Sequence, residues 1–401
     1  MKLTPWIVMP TYWTWPSSAA ARLESGSFDH PTPLDGESTL PRLLQDLSGQ
    51  SAQDFRLLIL VGTAHPSLGT RAAAHVSDLL RPYQDRLSSL VMDWTRLERL
   101  QSVLSDHGLT TAGLGLESYA GIRNLQLLVP HILGAEAVVA LDDDERVETD
   151  YLQRAISQFG PDARNPAVLG LAGPYRQPDG GVLLPARERT GNVFEDKAVY
   201  INQAMGGLMA GGEGLRPSPM ALGGNMVFHA SLLKQTPFDP GITRGEDIDY
   251  LINARMGGVT WWFDAGLSIL HLPPHHYDSS PFQRLRQDVM RFMYERQKLH
   301  LFGWSQPDWL EPYPGALLGP DLEDQARQAL ERQGTPALWA EYGEPDSILQ
   351  EASARAGQLA PQYAGFAADW QRMMERIESD QRLRGLLAAA LDWAGMERTH
   401  W

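Results

Sequence analysis

Two short segments, Phe55–Val61 and Ala137–Leu141, are apolar at nearly every position instead of every second one. A strand with one wet face alternates apolar and polar side chains, whereas a strand covered on both faces does not. Such runs belong inside a sheet with helices on each side. The segments between them supply those helices: Leu40–Leu47, Arg71–Leu80, Tyr119–Leu133 and Tyr151–Phe159 carry apolar residues at helical spacing. Residues 6–9, closed by Pro10, with Leu87–Met92 and Val168–Ala172, read as further strands. The alternation predicts an α/β fold with a mostly parallel sheet.

From about 174 to 224 the pattern changes to a glycine-rich stretch that could hold one helix around Ala198–Met209 and otherwise reads as a long mobile segment. Regular structure resumes at Met226–Leu233, in a helix at Ile248–Met256, in strands at Val259–Phe263 and Leu267–Leu270, and in a helix at Phe282–His300. Proline and tryptophan then mark a linker, and the remainder is helical, with amphipathic segments Tyr363–Ile377 and Arg382–Trp393. The expected organisation is a catalytic domain over residues 1–302 and a C-terminal helical appendage over 303–401.

Composition removes several function classes. A net charge of −15 lacks the positive footprint that nucleic acid or anionic lipid requires. The absence of cysteine excludes disulfides, thiolate metal sites and a cysteine nucleophile. Neither a signal-peptide core nor a membrane-spanning run is evident, so a cytoplasmic protein without a transmembrane segment is expected.

The chemistry concentrates in four places. Leu141-Asp142-Asp143-Asp144-Glu145 puts four acidic residues directly after a buried strand. Carboxylates this close raise one another's pKa unless a cation is present, and the carboxyl ends of parallel strands are where open α/β sheets place ligands. The set suits Mg²⁺ or Mn²⁺; the plain alternative is an acidic turn that caps the next helix. Arg244-Gly245-Glu246-Asp247-Ile248-Asp249 opens a helix, where acidic residues are favourable in any case. His271-Leu272-Pro273-Pro274-His275-His276 follows a strand, and His271 could join the carboxylates around a metal. Gly121-Ile122-Arg123-Asn124 puts an arginine near a helix start, where it could pair with a diphosphate. Phosphate-binding P-loop, dinucleotide and serine-hydrolase elbow motifs are absent.

In this order the features resemble the inverting family 2 glycosyltransferases, which have the GT-A fold. Ile7-Val8-Met9-Pro10-Thr11-Tyr12 looks like the family's opening motif, and Gly121-Ile122-Arg123-Asn124 is similar to its Ala-Arg-Asn element. Leu141-Asp142-Asp143-Asp144 looks like the Asp-x-Asp motif, and Leu222-Gly223-Gly224-Asn225-Met226 like the Gly-x-Asn stretch on the acceptor side. Phe238-Asp239 with Arg244-Gly245-Glu246-Asp247-Ile248-Asp249 is similar to the Phe-Asp…Gly-Glu-Asp-x-Asp element, and His271 matches the late histidine. The matches span residues 6–276. Two departures stand out. Val61-Gly62-Thr63 replaces the usual acidic residues after the second strand, and Trp13 and Trp15 follow the opening motif.

The resemblance implies transfer of a sugar from a nucleotide diphosphate sugar to a hydroxyl acceptor, with inversion. It implies that Asp142, Asp144 and His271 hold Mn²⁺ or Mg²⁺, and that Pro10, Thr11, Tyr12, Arg123, Asp142 and Asp143 bind the donor. Asp247 is implied as general base, with Glu246 orienting it or the acceptor. A UDP-sugar is the expected donor and a GDP-sugar the other possibility. The acceptor is expected to be small and polar or a saccharide, residues 174–224 to act as a lid, and a homo-oligomer stays open. The alternatives are a retaining GT-A enzyme with a glycerate-type acceptor, a nucleotidyltransferase, and an inactive carbohydrate-binding module.

Overall fold

The computed structural model describes residues 3–17, 28–159, 167–185, 187–212, 214–273, 280–305 and 307–393. Pro274, His275 and His276 lie outside the described residues, so the histidine cluster can be followed only at His271. The strands are β1 (Pro5–Thr14), β2 (Thr32–Pro33), β3 (Arg56–Thr63), β4 (Ser89–Met92), β5 (Ala137–Ala140), β6 (Glu145–Arg146), β7 (Gly170–Ala172), β8 (Tyr175–Arg176), β9 (Leu215–Pro217), β10 (Met226–His229), β11 (Trp261–Asp264) and β12 (Ile269–His271).

The main sheet runs β4-β3-β1-β5-β10-β7-β11-β9, with β2 beside the end of β1. Strands β4, β3, β1 and β5 are parallel; β10 is antiparallel to β5 and β7, and β11 is parallel to β7. This is a mixed α/β architecture with a mostly parallel sheet flanked by helices. A small second sheet, β6-β12-β8, lies beyond the end of β5.

Both-sided burial accounts for the unbroken apolar runs. In β1, Trp6 and Val8 join one core cluster, Ile7 and Met9 another. In β3, Leu58 and Leu60 face the first cluster, and Leu57, Ile59 and Val61 the second. Helices Trp94–Asp106 and Tyr119–Ile132 contribute to the first; Leu40–Ser48, Gly69–Leu80 and Tyr151–Ile156 contribute to the second.

Three local features differ from expectation. β1 does not end at Pro10 but continues to Thr14. The Leu141 N–H donates to the Val8 carbonyl, so β1 residues of that parity turn their backbone groups toward β5. Pairing with β5 ends at Val8↔Ala140, so Pro10 falls where no ladder donor is needed. Helix Trp94–Asp106 was not expected. Asp93 caps it through the Arg96 N–H, and Leu97, Leu100 and Leu104 form its buried stripe, diluted in sequence by intervening charges. The stretch 174–224 holds the expected helix, Lys197–Ala210, and in addition β8 and β9 where a long mobile segment was expected. Within it, Asp196 accepts the Thr190 and Gly191 N–H groups, and Asn192 donates to the Gln325 carbonyl.

Pro345–Ser379 is one helix of 35 residues, and Gln381–Ala390 follows it. Trp370, Met374, Ile377, Leu383 and Leu387 join the cluster that contains Trp6 and Val8. The Trp370 indole N–H donates to the Leu233 carbonyl. Among the described residues no helix is long and apolar enough to cross a membrane.

Because Trp370 is fully buried in the shared core, Trp370→Ala should lower the unfolding free energy of the whole chain by about 3–5 kcal/mol. Urea denaturation measures it. A loss under about 1 kcal/mol would mean that the long helix is not part of the cooperative core.

Candidate active site

The site starts where β5 ends. The Asp142 N–H donates to the Glu145 carboxylate (3.0 Å) and the Glu145 N–H to the Asp142 carbonyl (3.3 Å), closing a tight acidic turn. The four carboxylates then diverge. Asp142 turns to Arg123, whose Nη2 lies 2.9 Å from its Oδ1. Asp143 turns back to β1, where the Thr11 hydroxyl donates to it at 2.6 Å. Asp144 turns to His271, with 3.6 Å between Oδ2 and Nε2. The small sheet makes that meeting possible, because β12 pairs with β6 so that His271 lies opposite Glu145.

Arg123 comes from helix Tyr119–Ile132, which Ser118 caps through the Gly121 N–H. The residue is 2% exposed, and its guanidinium contacts two chain segments at once. Besides Asp142 it reaches Glu246, with Nε 3.3 Å from Oε1. Asn124, the next residue, clamps a third segment: its amide donates to the Phe238 carbonyl (2.9 Å) and accepts the Phe238 N–H (2.8 Å). That clamp fixes the approach to helix Glu246–Met256. Gly245 enters this helix at φ 74, and a Cβ there would fall 1.7 Å from Arg291 Nη1. Both the left-handed turn and the close arginine require glycine. Asp247 is held by two backbone donors, Gly223 N–H at 3.0 Å and Ile248 N–H at 2.7 Å.

A cavity of about 380 Å³ opens between these pieces. Arg123, Asp142, Glu246 and Asp247 line it together with three cations, Lys197, Arg244 and Arg291. Lys197 and Arg244 both pair with Asp288. Burial would raise Asp288, but Lys197, Arg244 and Arg291 outweigh it and hold the carboxyl below its ordinary value. Burial, then the charge of Asp247, push Glu246 up to about 7 against the pull of Arg123. Asp142 and Glu145 are raised by burial, and Asp143 is pushed to about 8 by burial and then by Asp144. Carboxylates raised together in one turn are the arrangement that a cation relieves.

The expected residues do not all reach the cavity. Thr11 is fully buried and Asp143 is 8% exposed; each satisfies the other behind the cavity wall. Pro10 and Tyr12 also lie outside the lining, Tyr12 packing its ring against Phe28 and Tyr119. Among the described residues no three His, Asp or Glu side chains converge as a ready metal cluster. Asp142 is drawn away by Arg123, which leaves Asp144 and His271 facing each other. These donors, with Asp142 two positions along, fit a hard cation of the kind that keeps waters and takes phosphate oxygens, since such a site needs only one or two protein carboxylates. Sequence reasoning missed Lys197, Arg291, Asp288 and Tyr313. They come from helices Lys197–Ala210 and Pro281–Leu301 and from the segment after them, with no motif to mark them.

No protein-family model matches the chain, and no curated protein does. Solved structures match at low similarity. A mannosyltransferase from Pyrobaculum calidifontis, described in complex with GDP-Man and Mn²⁺, is 13% identical over 99% of this chain and 89% of its own, at a TM-score of 0.42. A mycobacterial protein is 16% identical over 76% of each chain, at 0.40. Neither likeness is close enough to carry a fold or a chemistry across.

Gly224 tests the acidic turn. A Cβ there would lie 2.0 Å from Glu145 Oε1 and 2.8 Å from Asp142 Oδ2. Gly224→Ala should therefore cost about 1–3 kcal/mol of stability as the turn shifts. Unchanged thermal unfolding of this variant would show that the turn is not packed as described.

Proposed function

We propose that the chain is a metal-dependent glycosyltransferase that moves a sugar from a nucleotide diphosphate sugar to a hydroxyl acceptor with inversion. One observation carries the reading. A single cavity is lined by a buried arginine shared between two carboxylates, Asp142 and Glu246, and by Asp247 held on two backbone N–H groups. That combination offers a diphosphate partner and an oriented base within one space.

In this mechanism Arg123 steadies the diphosphate. Asp142, Asp144 and His271 would hold Mn²⁺ or Mg²⁺, which when bound supplies Lewis-acid charge against the leaving diphosphate. Asp247 takes the proton of the acceptor hydroxyl as that oxygen forms its bond to the anomeric carbon. The bond from that carbon to the diphosphate breaks on the opposite face, so the configuration inverts. Glu246 keeps Arg123 in place from the base side. Of the three residues in the opening motif, Tyr12 acts through cavity-lining Tyr119, against whose ring it packs. Ile201 and Leu222 add apolar wall that helps keep water from the reacting carbon.

Three measurements test this. In a thermal-shift panel of UDP, GDP and their sugar conjugates with and without Mn²⁺, one nucleotide should raise the melting temperature in a metal-dependent way. No shift with any of them overturns the reading. Asp247→Asn should leave the donor Kd nearly unchanged and lower transfer by about 10²–10⁴-fold; retained transfer would remove the base from this position. The pH dependence follows from Glu246. Above about 7 its carboxylate is ionised and adds negative charge beside Arg123, so binding of an anionic donor should weaken several-fold between pH 6 and 8. Glu246→Gln should flatten that slope in calorimetric titrations, and an unchanged slope would assign it elsewhere.

A further inference from the structure

A second cavity, of about 250 Å³, adjoins the first. Gly241, Ile242 and Thr243 line it, the next residues of the chain line the first cavity, and Arg291 lines both. Its charge is one-sided. Arg286, Arg291 and Arg355 face it and no carboxylate among the described residues does, in a chain with 49 acidic residues against 34 basic ones.

The arginines are only partly satisfied. Arg286 Nη2 pairs with Glu351 at 2.6 Å, Arg291 Nε with Glu295 at 2.8 Å, and Arg355 Nη2 lies 3.4 Å from the Gly241 carbonyl. Arg291 is 8% exposed, yet its Nη2 is buried with no hydrogen-bond partner among the described residues. The same holds for Arg286 Nε and for the side-chain carbonyl of Gln287. Leaving buried donors on a cation unpaired is costly, and a bound acceptor removes the cost. Two charged N–H donors call for an oxyanion; the Gln287 carbonyl calls for a hydroxyl donor beside it.

We propose that this cavity binds a small hydroxylated oxyanion, a phosphate monoester or a carboxylate with a neighbouring hydroxyl, held by Arg286, Arg291 and Arg355 with Gln287 on the hydroxyl. The site does not depend on the transferase reading. It does bear on the first cavity, because the arginine that grips the anion packs against Gly245 at the start of the helix carrying Glu246 and Asp247.

Isothermal titration of the full chain with glycerol 3-phosphate, glycerate and inorganic phosphate tests the proposal. Saturable binding of glycerol 3-phosphate names the phosphate source and of glycerate the carboxylate source; inorganic phosphate, with no carbon-borne hydroxyl for Gln287, should bind more weakly than the tighter of the two. Arg286→Gln combined with Arg355→Gln should weaken that ligand by about tenfold or more, and thermal unfolding checks that the variant is folded. Should the pair fail to fold, Arg355→Gln alone, at the exposed mouth of the cavity, serves instead. Lys197→Gln, which touches only the first cavity, should change the affinity by less than about twofold. Absence of saturable binding by both organic anions overturns the proposal. So does binding that Lys197→Gln abolishes and the Arg286 and Arg355 changes leave intact.

Discussion

Arg123 is the joint on which the site depends. A guanidinium taken out of water must have its counter-charges within hydrogen-bond reach. Here those counter-charges come from two distant pieces of chain, Asp142 at the end of β5 and Glu246 at the start of helix Glu246–Met256. One side chain therefore fixes a strand end, a helix start and its own helix relative to one another. The same geometry makes the joint responsive. Burial pushes both carboxylates toward their neutral forms, and Arg123 is the strongest pull that holds them charged. An anion that claimed part of Arg123 would meet carboxylates ready to take up protons, so the site can exchange an internal partner for an external one without stranding a buried charge.

A second buried network holds the helix that presents Asp247. Lys298, fully buried, bridges Asp239 at 2.8 Å and Asp249, and Tyr294 donates to Asp239 at 2.5 Å. Asp249 also accepts from Asn253, one turn along its own helix, at 2.7 Å. Phe238 stacks on Tyr250 with ring centroids 4.2 Å apart. The acidic residues after Gly245 therefore split by helix face. Asp247 stays part-exposed toward the cavity, while Asp249 is consumed in anchoring the helix to Pro281–Leu301. Asp247 is thus anchored behind and open in front, the geometry that the proposed general base requires.

Much of this was legible in the sequence, and the limit has a physical cause. Unbroken apolar runs revealed β3 and β5 because both-sided burial writes itself into local composition. Arg123, Asp142, Glu246 and Asp247 were expected from short ordered motifs, and the structure brings the four to one cavity because they sit at a strand end and at helix starts. Thr11, which lies within β1, and Asp143, after β5, face each other behind the wall, since alternation along a chain does not say which face a cavity will occupy. Lys197 and Arg291 were invisible. Their importance comes only from tertiary approach, across helices whose sequences look like ordinary amphipathic surface. Helix Trp94–Asp106 failed for a different reason: three leucines among interspersed charges fall below what periodicity alone can separate from loop.

Charge distribution ties the two cavities together. At net −15 the long-range field of the chain repels anions. Any anionic ligand must therefore be won at short range, where screening by salt is weak and desolvated cations act with a low effective dielectric. The fold meets this by gathering Arg123, Lys197, Arg244 and Arg291 at one cavity and Arg286, Arg291 and Arg355 at the next. In the first, carboxylates of the lining share the space with the cations, so a ligand must compete or bring a cation with it. In the second, cavity-facing donors are left over. The first arrangement suits an anion that arrives with a cation of its own, as the proposed donor would. The second suits a small anion retained by charge alone, and Arg291, common to both, makes the occupancy of one an electrostatic boundary condition for the other.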